Sequence, residues 1–193
     1  MLSLEESLKI LKETKALIEG HFILSSGLHS PKYVQCAQLM SKPSQAAQIC
    51  QSLAKKIKIE LNSIDLILSP AMGGIVVGYE IGKLLGVETI FSERVNGKFQ
   101  LRRDFKIKQD TNVLIVEDVI TTGKSSIECS NLVKVNKANI VGYACIIDRS
   151  DGKTEINDKI ISQIKLNIPT YKKENLPKEL ISIDPVKPGS RNL

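Results

Sequence analysis

Apolar and polar positions along the chain follow two alternating rhythms, one helical and one of short buried strands. Ser3 with Glu6 three places on forms a capping-box pattern. Leu4, Leu8, Leu11 and Ile18 share one helical face behind it, with Gly20 as the stop. Phe22 to Leu24 predict a strand, Ser25 to Pro31 a turn, and Tyr33 to Cys36 a second strand, together a hairpin. Ser44 to Leu61 is amphipathic through Ala47, Ile49, Leu53, Ile57 and Leu61, and predicts a helix. Ile64 to Pro70 is an apolar strand, and a helix begins just beyond Gly73 and Gly74. Gly74, Gly78, Gly82 and Gly86 recur every four residues and leave a bare stripe suited to packing on a sheet. Val87 to Phe91 is the next strand, followed by Asn96-Gly97, the strongest short hairpin signal. The run from Val113, the helix Ser125 to Asn136, the buried strand Ile140 to Ile147, the turn from Asp151 to Glu155 and an edge strand Ile160 to Ile168 complete the series. The tail, with Val186-Lys187-Pro188-Gly189, is punctuated by proline and glycine and reads as irregular. Strands alternating with helices predict an α/β fold with a mainly parallel central sheet flanked by helices.

The chemistry concentrates in Val113 to Ser126, V-L-I-V-E-D-V-I-T-T-G-K-S-S. Its β-branched opening is that of a strand buried on both faces. Glu117 and Asp118 stand where such a strand would end, and ligands of open α/β sheets bind at that end. Thr121, Thr122, Gly123, Lys124, Ser125 and Ser126 then form a small hydroxyl-rich turn at a helix start, which offers free N–H groups to a phosphate. Carboxylates beside a phosphate cradle repel it unless they serve another part of the ligand, such as sugar hydroxyls or a bound cation. A ribose carrying a phosphate is the simplest ligand. Gly123-Lys124-Ser125 is no P-loop, because that motif needs a glycine five places earlier and Asp118 stands there.

Charge and composition narrow the classes. The net charge of +6 admits nucleic acid, but the lysines are dispersed, and four Phe, four Tyr and no Trp give few stacking platforms. A solvated lysine-rich surface is the reading for most of that charge, and no nucleic-acid partner is expected. No apolar run is long enough to span a bilayer, and the N-terminus shows no secretory pattern. Cys36, Cys50, Cys129 and Cys145 are scattered and read as reduced thiols of a cytoplasmic protein, with only His21 and His29 to help any zinc site. The rare arginines, Arg94, Arg102, Arg103, Arg149 and Arg191, mark places where a planar fork suits phosphate or carboxylate.

Val113 through Ser125 resembles the phosphoribosyl-diphosphate signature of the type I phosphoribosyltransferases. The resemblance implies that Glu117 and Asp118 contact the ribose hydroxyls and that Thr121 to Ser125 hold the 5′-phosphate. It implies that Ala71, Met72 and Gly73 hold the diphosphate, with a non-proline cis peptide near Ala71. The segment F-I-L-S-S-G-L-H-S-P-K-Y resembles the N-terminal hood of the orotate phosphoribosyltransferases. In many of them a lysine stands just before the Ser-Gly pair, where this chain has Ser25. Arg149 matches the arginine that pairs with the orotate carboxylate there, and Thr122 adjoins the same ligand. A salt bridge to Asp148 or Asp151 is the plain structural alternative for Arg149.

The Asn96-Gly97 hairpin matches that family's mobile catalytic loop. Arg94 and Lys98 carry over as diphosphate-contacting residues, while Val95 and Gln100 replace a lysine and a histidine. Lys98, Arg94 and Asp118 are therefore the candidate catalytic residues. The resemblance implies a single domain, with a hood at about residues 1–40, a core at about 41–170 and a tail at 171–193. It also implies Mg²⁺ carried by the diphosphate and a homodimer with shared active sites. The expected reaction joins orotate to phosphoribosyl diphosphate, giving orotidine 5′-monophosphate for pyrimidine synthesis. A phosphoribosyltransferase for a purine base, and a non-catalytic sensor of phosphoribosyl diphosphate, stay open as alternatives. Arg191 has no assigned role.

Overall fold

Leu114 and Val116 pack on one side of the central sheet and Val113 and Ile115 on the other, and this alternation of buried side chains organises the molecule. The computed structural model describes residues 1–24 and 26–188. The strand bearing those four residues is β6 (Asn112–Ile120). It lies in a six-stranded sheet whose other members are β3 (Leu66–Pro70), β4 (Glu88–Val95), β5 (Lys98–Leu101), β7 (Asn139–Asp148) and β8 (Ile160–Lys165). Their spatial order is β5-β4-β3-β6-β7-β8, parallel throughout except for the β4–β5 hairpin. A separate two-stranded sheet pairs β1 (Leu17–Ile23) with β2 (His29–Val34) and forms the hood.

Helices cover both faces. On one side α1 (Leu4–Glu13), α2 (Cys36–Met40), α3 (Pro43–Glu60) and α4 (Gly73–Leu85) join a core with Ile67, Leu114, Val116, Ala144 and Ile146. On the other, α5 (Lys124–Val135) packs Cys129 and Val133 against Leu66, Leu68, Val113, Ile115, Tyr143 and Cys145. The glycine stripe of α4 lies against the sheet. A Cβ at Gly78 would meet Ser69 Oγ at 2.0 Å, and one at Gly82 would meet Thr89 Oγ1 at 1.9 Å. No helix among the described residues is long and apolar enough to cross a membrane.

Several boundaries differ from the sequence expectation, each for a local reason. The first helix stops at Glu13, short of Ile18 and Gly20. Thr14 Oγ1 donates to Ile10 O at 2.8 Å, and Lys15 takes a left-handed φ of 57°, so the chain turns there into β1. Gly20 marks a bulge, since the β1–β2 register shifts between Glu19 and Phe22. Cys36 opens α2 and does not end a strand. β6 continues through the two carboxylates to Ile120, because β7 goes on pairing with it as far as Asp148. β4 likewise runs on to Val95, held by the antiparallel return of β5. The tail holds a 3₁₀ turn (Lys173–Asn175) and α6 (Lys178–Ile181), then lies along the hood, with Val186 bridging to Phe22. Arg191 and Ser25 lie outside the described residues.

Candidate active site

Because β6 stays extended through its acidic pair, period-two geometry sends the two carboxylates to opposite faces of the sheet. Glu117 falls on the α5 face, where Ser126 Oγ donates a very short hydrogen bond to its Oε2. Asp118 falls on the α4 face, beside the turn that starts that helix. A Cβ at Gly73 would stand 2.7 Å from Asp118 Oδ2, so only glycine lets that turn come so near. Val119 N donates to Asp118 Oδ1 at 2.9 Å, while Oδ2 has no hydrogen-bond partner among the described residues. Burial is the main cause that raises both acids. It pushes Glu117 to about 7 against the opposing Ser126 hydrogen bond, and it moves Asp118 upward too. No cation pairs with either acid among the described residues.

The phosphate-type turn follows at once. Thr121, Thr122 and Lys124 are exposed, Ser125 is half-buried, and Gly123 caps α5 with a left-handed φ of 78°. The first intrahelical bond runs from Ile127 N to Gly123 O, which leaves the amides of Ser125 and Ser126 without an acceptor inside the helix. Such amides, with the positive end of the helix dipole, suit an anion. Thr154 Oγ1 donates to Thr122 O at 3.0 Å, and Thr154 and Ile156 pack over Gly123, so the loop after β7 braces the turn. Sequence reasoning passed over Thr154 and Ile156, which carry no motif.

At the end of β3 the Ala71–Met72 peptide is cis, as the resemblance implied. Ala71 N donates to Ser92 O at 2.8 Å, which ties this turn to β4. Two strand ends, β3 and β6, thus bring the turn of Ala71, Met72 and Gly73 together with Asp118, Gly73 standing against the carboxylate.

Arg149 stands at the end of β7, its backbone N donating to Ile120 O at 2.8 Å. No carboxylate among the described residues pairs with it. Asp148 accepts from Ser150 N at 2.9 Å, and Asp151 pairs with Lys153 at 3.5 Å, so neither takes the guanidinium. Its Nε is buried without a partner, and burial draws the group below its ordinary value without discharging it. Arg149, Asp118, Thr121 and Thr122 line one cavity of about 1340 Å³, above the roughly 300–1,000 Å³ usual for small-molecule clefts. The hood contributes Tyr33 and Gln35 to its wall and the tail contributes Lys187. None of these three was read from the sequence as a site residue, because distant pairing brings them there.

The hairpin is placed differently. Arg94 packs 4.2 Å above the Phe99 ring, donates to Gly97 O at 2.6 Å and pairs with Glu128 of α5 at 2.8 Å. Arg102 and Arg103 both reach Glu93, at 3.4 and 2.8 Å. Lys98 is exposed at the hairpin start of β5 with no partner among the described residues. None of these residues lines the cavity that holds Arg149.

Known proteins resemble this chain in sequence and in fold. The phosphoribosyl transferase domain model matches residues 37–178. The orotate phosphoribosyltransferase of Methylorubrum extorquens is 46% identical over 190 residues, covering 98% of this chain and 97% of the relative. That of Carboxydothermus hydrogenoformans is 44% identical over 183 residues, covering 95% and 96%. The crystal structure of orotate phosphoribosyltransferase from Aeropyrum pernix superposes with a TM-score of 0.71 at 23% identity, covering 82% of this chain and 92% of that one, a likeness of fold.

Proposed function

The chain belongs to the phosphoribosyltransferase family, in its orotate phosphoribosyltransferase branch, and from that membership we propose how its residues carry out the transfer. N1 of orotate bonds to C1 of 5-phosphoribosyl 1-diphosphate as the C1–O bond breaks. The electron pair of that bond leaves with diphosphate, and the N1 proton is released to water. The product is orotidine 5′-monophosphate, as de novo pyrimidine synthesis requires. The observation that carries the base assignment is Arg149, a half-buried side chain at a strand end beside the phosphate turn, its Nε enclosed without a partner and no carboxylate among the described residues paired with it. A planar fork waiting for a planar carboxylate is what orotate supplies and a purine lacks.

In this reading Thr121, Thr122, Gly123, Lys124 and Ser125 hold the 5′-phosphate, while Glu117 and Asp118 take the ribose hydroxyls from opposite faces of β6. Ala71, Met72 and Gly73 line the diphosphate. Thr122 and the hood position Ser25 border the base. Arg94 and Lys98 come to the diphosphate when the hairpin closes, where positive charge is worth most as the leaving group departs. Mg²⁺ entering on the diphosphate supplies further positive charge to it. Among the described residues no group of three His, Cys, Asp or Glu side chains forms a metal site. A substrate-borne ion that keeps its waters fits that donor set, with Asp118 Oδ2 free to accept from one of them.

We read hood, core and tail as a single domain acting in the cytoplasm, where the four free, buried cysteines stay reduced. The partner we assign is a second copy of this chain. Met72, Val76 and Tyr79 are 83%, 51% and 67% exposed, and they follow one face of α4 from its first turn, beside the diphosphate turn. Sedimentation equilibrium should give twice the chain mass, and a monomer at all concentrations would remove the shared-site model.

The test of the function is loss of orotate absorbance with phosphoribosyl diphosphate and Mg²⁺. Arg149→Ala should raise the orotate KM by roughly 10²-fold, the scale of a lost bidentate charge pair. Turnover of a purine base in place of orotate would refute the assignment.

A further inference from the structure

Three ties fasten the C-terminal segment to the hood and decide which tail residue meets the ligand cavity. His29 and Tyr171 exchange backbone hydrogen bonds of 2.8 and 2.9 Å. His21 Nδ1 donates to Ile183 O at 2.9 Å, and its Nε2 lies 2.6 Å from His29 Nδ1, with both imidazoles buried. Val186 N then donates to His21 O at 2.8 Å and Ile23 N to Val186 O at 2.9 Å. Pro185 and Pro188 flank the paired dipeptide and restrict its backbone. In an extended segment successive side chains point opposite ways. Val186 is 56% exposed, and Lys187 beside it lines the cavity shared with Arg149.

The charge balance of that cavity leaves room for a second cation. Asp118 and Asp151 both line it, and both repel an anionic base. Arg149 is one counter-charge. Lys153 lines the wall as well, and its ion pair offsets Asp151, which leaves the Asp118 charge to be balanced beside that of the base. A carboxylate withdrawn from water needs more than one donor to offset its lost hydration.

We propose that Lys187 is a second base-site cation, its ammonium contacting the anionic edge of the bound base in the cavity it shares with Arg149. The inference rests on reading this cavity as the orotate site. It makes the tail a working wall of the site, held there by the buried histidine pair.

Steady-state kinetics of the full chain, with Mg²⁺ and each substrate varied in turn, tests it alongside thermal melting. Lys187→Ala should raise the orotate KM roughly tenfold, the loss of one charge-assisted contact, with the KM for phosphoribosyl diphosphate and the Tm little changed. Lys187→Arg should recover most of the loss. An orotate KM equal to that of the parent chain overturns the proposal. So does a rise confined to the diphosphate substrate, or a fall in Tm with both KM values raised, which would make the segment a strap only. A parent chain that consumes no orotate would sink the functional reading itself, and this proposal with it. Normal parent turnover with an indifferent Lys187→Ala would sink this proposal alone.

Discussion

The end of β6 and the β4–β5 hairpin carry the two signs of charge that the transfer needs, and they treat those charges in opposite ways. Glu117 and Asp118 are half-buried acids with no cation beside them among the described residues, and the burial they have raises both above their ordinary values. The arginines of the hairpin are the reverse, since Arg94 pairs with Glu128 and Arg102 and Arg103 with Glu93. A rigid parallel strand keeps unmatched charge in place for a ligand, because its backbone bonds do not depend on the side chains. Beyond Ser92 the hairpin leaves the rest of the sheet, keeps only its own β4–β5 pairing and the buried Phe99, and adds ion pairs to fix its shape. Lys98 is the exception on the hairpin, exposed and unpaired among the described residues. In the proposed transfer, binding falls to the strand end, and Lys98 is the hairpin cation that no ion pair among the described residues holds back from the leaving group.

Removing that lysine should have the largest effect. Lys98→Ala is expected to lower kcat by roughly 10²–10³-fold, the scale of one electrostatic contact to a developing anion. Because the contact strengthens as diphosphate leaves, the KM values should move much less. Equal losses in kcat for Arg102→Ala and Lys98→Ala would abolish the distinction between paired and unpaired cations.

Glu117→Gln probes the strand side, and its sign follows from protonation. The folded chain holds a proton on Glu117 up to about pH 7, whereas the ordinary carboxyl loses it near 4.5. The favourable contribution is therefore complete below about 4.5 and is lost as pH rises through about 7. Without ligand, Glu117→Gln should melt at the same temperature as the parent at pH 4.5. At pH 8 it should melt higher, by an amount on the order of 3 kcal/mol or roughly 6–12 °C. Activity should fall in the same variant, since a neutral amide cannot stabilise positive charge on the ribose. A variant less stable than the parent at pH 8 would mean that Ser126 fully offsets the burial.

The same contrast explains what could be read from the chain and what could not. The run from Val113 to Val116 announces its strand because both faces are buried, and Thr121 to Ser126 announce an anion cradle by residue type alone. Asn96-Gly97 is equally local, and both residues take positive φ, 49° and 80°, as a two-residue hairpin turn requires. The opposite facing of Glu117 and Asp118 follows from period two only once β6 is known to continue to Ile120, and that depends on β7. Ile18 mimics a helical position because an apolar strand residue can fall on that spacing by chance. The tail had no periodicity to read, since its order comes from bonds to His21, Ile23 and His29, more than a hundred residues away. Glu128 showed nothing as a partner for Arg94, because helix and hairpin meet only in the folded chain.

The smallest expected effect is also the sharpest question about the hairpin. If Arg94 must leave Glu128 to reach the diphosphate, the ion pair opposes closure and its strength adds to the KM. The pair is partly exposed, with 39% of the arginine and 26% of the glutamate side chain in solvent. Such pairs contribute about 0.2–1 kcal/mol, which corresponds to a roughly 1.4- to 5-fold change in an equilibrium. Glu128→Gln keeps the side-chain volume and removes the charge, and Arg94 keeps its contacts to Gly97 O and the Phe99 ring. The KM for phosphoribosyl diphosphate should then fall by about two- to threefold at low salt, with the gain shrinking as salt rises. A rise in KM with lower kcat would instead show that Arg94 serves the hairpin from where it stands. Arg94→Ala would then match Glu128→Gln, and the diphosphate would be left to Lys98 alone.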